Sequence, residues 1–117
     1  MITVYGIPNC DTVKKARKWL DSRGVTYSFH DFKKGGLTAE RAAGWIEELG
    51  VEKVVNKRGT TWKKLDPAIQ ESVTDTTAPA LLASHPSLVK RPVFDLGEIR
   101  LIGFDKSVQA DLEALLD

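Results

Sequence analysis

The sequence predicts an α/β chain: a βαβ unit and a ββα unit sharing one mixed four-stranded sheet, with helices inserted between them. Three observations carry this. Strand-period and helix-period patterns alternate from Ile2 to His30. The middle changes to short helical stretches punctuated by glycine and proline. The chain then returns to two β patterns around a glycine turn and finishes on a helical one.

Ile2 and Val4 alternate with Thr3 and Tyr5, the period of a half-buried strand. Val13, Ala16 and Leu20, with Trp19 beside them, recur at helical spacing, which predicts an amphipathic helix from Asp11 to Arg23 that Gly24 ends. Val25, Tyr27 and Phe29 then alternate with Thr26, Ser28 and His30 as a second strand. A strand, helix and strand this close together form a βαβ unit, parallel and right-handed. Lys33-Lys34-Gly35-Gly36 reads as a loop. Thr38 caps a helix carrying Ala42, Trp45, Ile46 and Leu49, and Gly50 stops it. Asp66-Pro67 is a cap with a first-turn proline ahead of Ala68, Ile69 and Val73. Thr77 precedes a short helical segment, Ala78 to Ser84, which His85-Pro86 closes. Val93-Phe94-Asp95 and Ile99 to Ile102 flank Leu96-Gly97-Glu98 as a hairpin, and Asp105 caps a last helix through Val108, Leu112 and Leu115. This order is the thioredoxin-like arrangement. It is expected as a single domain over 1–117 with a helical insert at about 38–86.

A chain of 117 residues fits one domain and buries a core without disulfides or metals. Seventeen Lys and Arg against sixteen acids leave a formal charge of +1, so composition gives no reason to expect nucleic acid or a membrane surface as partner. No apolar run spans a bilayer, and the first residues lack a signal-peptide pattern. Cys10 is the sole cysteine, which excludes an intramolecular disulfide and a thiolate cluster; His30 and His85 lack ligand spacing, and no metal is expected. A cytoplasmic location, where a free thiol stays reduced, follows as the expectation.

Cys10 stands between a strand and a helix start. Helix starts carry unpartnered backbone N–H groups and partial positive charge. A thiolate there is stabilised, and its pKa falls from about 8.5 toward or below neutrality. The Thr12 hydroxyl can add a hydrogen bond; Lys14 and Lys15 add a screened cationic field, which Asp11 opposes. A lone cysteine is more often a small buried hydrophobe. The polar neighbours Asn9 and Asp11, and the placement at an edge where open α/β sheets receive ligands, weigh against that here.

The segments "YGIPNCDTVKKA", "KRGTTWKKL", "LVKRPVFD" and "IGFDKS", in this order over nearly the whole chain, resemble the arsenate-reductase-like (ArsC/Spx) family, in its YffB-type branch. The resemblance implies a thioredoxin-like fold with a helical insert and a catalytic or redox-sensing cysteine at Cys10. It implies two anion-binding arginines, Arg91 before Pro92 and Arg58 in "NKRGTTW"; Asn56 stands nearer the position that true arsenate reductases use. By the same resemblance Arg91-Pro92 is expected to be cis beside the nucleophile. That geometry leaves a backbone edge free for a peptide-like thiol and aims Arg91 into the same cleft. Asn9, Thr12 and Pro92 then line the substrate position.

The departures shape the expected chemistry. Val13 stands where Cys-x-x-Cys relatives carry the second thiol, so a mixed disulfide on Cys10 needs an external thiol, with glutathione the expected co-substrate and no bound cofactor. This is similar to a monothiol glutaredoxin mechanism acting on an anionic or disulfide substrate. Gly103 falls where arsenate reductases place a third arginine, and Gly6 where they carry a histidine. Losing one of three cations removes charge-assisted hydrogen bonds worth on the order of 2 kcal/mol, which disfavours arsenate. Arg100 lies nearby in sequence as a substitute. The alternatives are arsenate reduction, an Spx-like regulator that binds RNA polymerase, and a fold relic with an inert thiol. Duller readings suffice elsewhere: "VKKARK" is a solvated helix face, Trp62-Lys63-Lys64 a short helix packing Trp62 and Leu65 on the core, and Trp19 and Trp45 are core or rim.

Overall fold

Alternation in the first residues produces strand β1 (Ile2–Gly6), and the apolar stripe after Cys10 produces helix α1 (Asp11–Ser22), followed by β2 (Tyr27–Asp31). Short helices α2 (Phe32–Gly35), α3 (Ala39–Leu49), α4 (Val51–Val54), α5 (Thr60–Lys63), α6 (Pro67–Glu71) and α7 (Ala78–Ser84) come next, then a 3₁₀ turn at Pro86–Leu88. The chain closes with β3 (Val93–Asp95), β4 (Arg100–Ile102) and α8 (Lys106–Leu116). The structure, a computed structural model, describes residues 2–116. Two compact units divide the chain: one holds the segments up to Asp31 and from Arg91 onward, the other is Phe32–Lys90.

The first unit is the α/β body. Its sheet runs β2-β1-β3-β4, with β1 parallel to β2 and antiparallel to β3. Val4 pairs with Phe29 on one side and Phe94 on the other. Val4, Ala16, Leu20, Phe94, Val108 and Leu112 form the core between the sheet and helices α1 and α8. Each aliphatic side chain of that size, fully removed from water, stabilises the fold by about 2 kcal/mol. Arg17 clamps α1 to β2: its Nε donates to the Tyr27 hydroxyl at 3.1 Å, and its guanidinium lies 4.0 Å from the Phe29 ring centre. Gly97, at φ +95°, turns the hairpin and donates its N–H to Asp95 Oδ1. Asp105 caps α8 by accepting from the Val108 N–H at 2.9 Å.

The second unit is helical. Helices α3 and α7 pack on one another with Ala42, Trp45, Ile46, Ala78 and Leu82 buried. Thr38 and Asp66 cap their helices as expected, accepting from the N–H groups of Arg41 and Ala68. An antiparallel bridge, Val55 to Val89, ties the middle of this unit to its C-terminal end, with Asn56 N–H donating to Leu88 O and Lys90 N–H to Val54 O.

Four local expectations need correction. The Lys33–Gly36 stretch is a helical turn and not a loop, because buried Phe32 anchors it and the Gly36 N–H closes on the Phe32 carbonyl. Strand β2 starts at Tyr27 and not at Val25, whose N–H is still donated to Leu20 O at the exit of α1. Ile99 lies outside β4, since its carbonyl accepts from Leu96 N–H to close the turn. Trp62 and Leu65 are half-buried and not core; Lys57 Nζ lies 5.5 Å from the Trp62 ring centre and the Trp62 carbonyl accepts from Gln70.

Candidate active site

Strand β1 ends at Gly6 and delivers the chain into a tight turn. The Cys10 N–H donates to Ile7 O at 3.2 Å, and Lys14 N–H donates to Cys10 O at 2.9 Å as the first bond of α1. Cys10 is therefore the N-cap of α1, with extended backbone angles of φ −90° and ψ 125°. A residue in that position directs its side chain at the N–H groups two and three residues on. Those groups belong to Thr12 and Val13. Cys10 makes no side-chain cap hydrogen bond, but both N–H groups lie near enough to favour the ionised form of its sulfur.

Arg91 completes the surroundings. The Arg91-Pro92 bond is cis, and the Arg91 side chain favours the Cys10 thiolate through both hydrogen bonding and charge. Burial is the largest single influence on the thiol and opposes ionisation. The Val13 N–H, the Arg91 hydrogen bond, the Arg91 charge and the Thr12 N–H together outweigh it, holding Cys10 below the ordinary thiol range. The expected contributions of Asp11, Lys14 and Lys15 are not among these influences, and all three side chains are exposed. Thr12 acts through its backbone and not through the hydroxyl suggested by its side chain.

The other expected residues are placed as follows. Asn9 is exposed in the turn, and Pro92 is fully buried. The Pro92 carbonyl accepts from Gly103 N–H at 2.8 Å, so this part of the expected free edge is taken. Gly103 itself is buried. Arg100 offers no substitute cation: it pairs with Asp95 at 3.6 Å, toward the turn of the hairpin, whereas β3 meets the Cys10 end of β1 at Val93. Arg58 belongs to the second unit, exposed, its N–H donated to Asn56 Oδ1 at 3.1 Å. There it lines a groove with Lys53, Lys57 and Lys90. His30 lies 5.0 Å from Tyr5, ring centre to ring centre, and His85 is exposed. Sequence reasoning placed Val13 in the apolar stripe of α1 and noted the missing thiol there, but overlooked its backbone amide. The signal was available: Val13 is three residues after an N-cap, where a backbone N–H points at the capping side chain.

A partly accessible sulfur whose thiolate is favoured by a nearby guanidinium is equipped to attack an electrophilic sulfur or another centre bearing an anionic group. Among the described residues no helix is long and apolar enough to cross a membrane.

The sequence pattern of the ArsC family matches residues 5–111. The solved structure of a protein called YFFB superposes with a TM-score of 0.90 at 42% identity, covering 95% of this chain and 97% of that one. An arsenate reductase (ArsC) related protein from Brucella melitensis gives a TM-score of 0.76 at 40% identity over 94% of this chain and 92% of its own. The global transcriptional regulator Spx of Streptococcus pyogenes is 29% identical over 91% of this chain and 80% of its own length.

Proposed function

Because the chain belongs to the ArsC family, we propose that it is a thiol-dependent reductase in which Cys10 is the nucleophile and glutathione, or another external thiol, resolves the intermediate. One observation carries this reading: two first-turn amides and an arginine converge on a single sulfur and favour its ionised form against the opposing effect of burial.

The proposed reaction balances with one cysteine. The Cys10 thiolate attacks the glutathione sulfur of a mixed disulfide; a new Cys10–glutathione disulfide forms and the substrate leaves as its thiolate, which takes a proton from water. A second glutathione thiolate attacks that disulfide, releasing oxidised glutathione and restoring the Cys10 thiolate. One free glutathione is thus consumed for each mixed disulfide reduced, and the oxidised glutathione released combines it with the glutathionyl group taken from the substrate. Arg91 steadies both the resting thiolate and a substrate carboxylate through its planar fork, for which lysine is a poor replacement. Asn9, Thr12 and Pro92 flank the substrate. The working compartment is a reducing one, the cytoplasm.

The test is turnover of a glutathionylated peptide by the purified protein with glutathione, compared with Cys10→Ser. Turnover lost in the variant supports the reading; equal turnover in both, or none in either, defeats it. Arsenate is the weaker substrate, because Gly103 is buried at Pro92 where the family's third arginine would stand and Arg100 is engaged by Asp95.

The identity to Spx favours a second reading, a regulator docking on RNA polymerase. Val13 counts against a two-cysteine redox switch within it, since the position is filled by a fully buried valine. Capture of the polymerase α subunit by the wild type, lost in an Arg91 variant, would favour this second reading over the first.

A further inference from the structure

Gly6 is the last residue of β1 and is buried. Its φ is not positive, so the backbone path does not demand glycine there. The demand is for room. A methyl group on Gly6 would lie 2.8 Å from Cγ2 and 3.3 Å from Cγ1 of Val13. Carbon atoms in comfortable contact stay about 3.5–4.0 Å apart. Val13 is itself fully buried. Its side chain rests on the bare Cα of Gly6, while its backbone N–H is one of the two amides directed at the Cys10 sulfur.

We propose that Gly6 is a positioning residue for Cys10: its missing side chain lets Val13 seat the first turn of α1 against the end of β1, which fixes where the Val13 amide points. This rests on reading Cys10 as the nucleophile. It also gives position 13 a role that a resolving thiol would not fill. A side chain larger than hydrogen at position 6 lifts the turn, and a side chain smaller than valine at position 13 lets it settle differently. Either change misaligns the amide with the sulfur.

The experiment is the pH dependence of Cys10 alkylation by iodoacetamide, a neutral probe, in the wild type, Gly6→Ala, Val13→Ala and the double variant, with cooperative thermal unfolding as the check on folding. The other charges around the sulfur, Arg91 from the segment before β3 and the exposed Asp11, Lys14 and Lys15 of α1, are the same in all four proteins. In Gly6→Ala the midpoint rises and alkylation at about pH 6 slows about threefold or more, the loss of ionised thiol that half a pH unit represents. Val13→Ala shifts in the same direction. The double variant returns toward the wild type, because the added methyl occupies space the valine methyls vacate. A folded Gly6→Ala or Val13→Ala with the wild-type midpoint overturns the proposal, as does a double variant displaced by the sum of the single shifts. If Gly6→Ala does not fold, Val13→Ala and the double variant decide. An ordinary midpoint in the wild type defeats the nucleophile reading, whereas unmoved midpoints in the variants defeat only this one.

Discussion

Replacing Arg91 with glutamine removes the guanidinium and keeps a polar side chain of similar length. Two of the four influences favouring the Cys10 thiolate go with it, the hydrogen bond and the charge; the Val13 and Thr12 amides remain, and burial still opposes ionisation. The alkylation midpoint therefore rises. A hydrogen bond to a charged group is worth about 1.5–3 kcal/mol. Cys10 is only partly buried, so water replaces part of that. A net loss of about 1 kcal/mol is expected, and with 1.36 kcal/mol per unit the midpoint moves up by about 0.7. Well below the midpoint, iodoacetamide then reacts about fivefold more slowly. At high pH both proteins are ionised and the rates converge. Negatively charged iodoacetate adds a second reading, since its preference over iodoacetamide should fall further once the guanidinium is gone. Equal midpoints in the two proteins would refute the reasoning. So would a rate loss of the same size at every pH, because Arg91 would then be controlling access and not ionisation.

Three more outcomes follow from the same structure. The lowered Cys10 value makes stability depend on pH: its contribution is fully present above the unfolded thiol's value of about 8.5 and disappears as pH falls through the lower folded value, so the advantage of wild type over Cys10→Ser grows with pH across that window, measured by urea unfolding; parallel profiles would sink it. Leu20→Ala empties a fully buried position between the sheet and α8 and should cost about 3 kcal/mol of unfolding free energy; a loss under about 1 kcal/mol would mean the site collapses or was never packed. Asp105→Ala removes the acceptor for the Val108 N–H and should cost about 1 kcal/mol. That corresponds to about 4 °C in thermal midpoint, with an unchanged midpoint as the contrary result.

What sequence made legible divides by the range of the forces involved. The stripe of Val13, Ala16 and Leu20 announced α1 because all three are fully buried at helical spacing. Thr38, Asp66 and Asp105 could be read as caps because a cap is a contact between near neighbours in the chain. Gly97 marked the hairpin through its required backbone angle. The turn at Phe32 was hidden, since two lysines and two glycines disguise a segment held by one buried ring. Trp62 misled because an aromatic side chain can serve at a rim as well as in a core. At the site, the N-cap position of Cys10 was accessible to local reasoning, and Arg91 came through the family resemblance. The contact of Gly6 with Val13 was not accessible, because it depends on how a strand end meets a helix start in three dimensions.

Strand β1 gains its antiparallel neighbour only when residues 3–5 meet residues 93–95. Closing a loop of that length is slow relative to forming helices nearby in sequence. During synthesis, a chain that has not yet reached Arg91 carries Cys10 with neither its guanidinium nor a completed sheet beneath it. Until those late segments dock, the thiol therefore lacks the two influences that Arg91 supplies and keeps only those of its own helix turn.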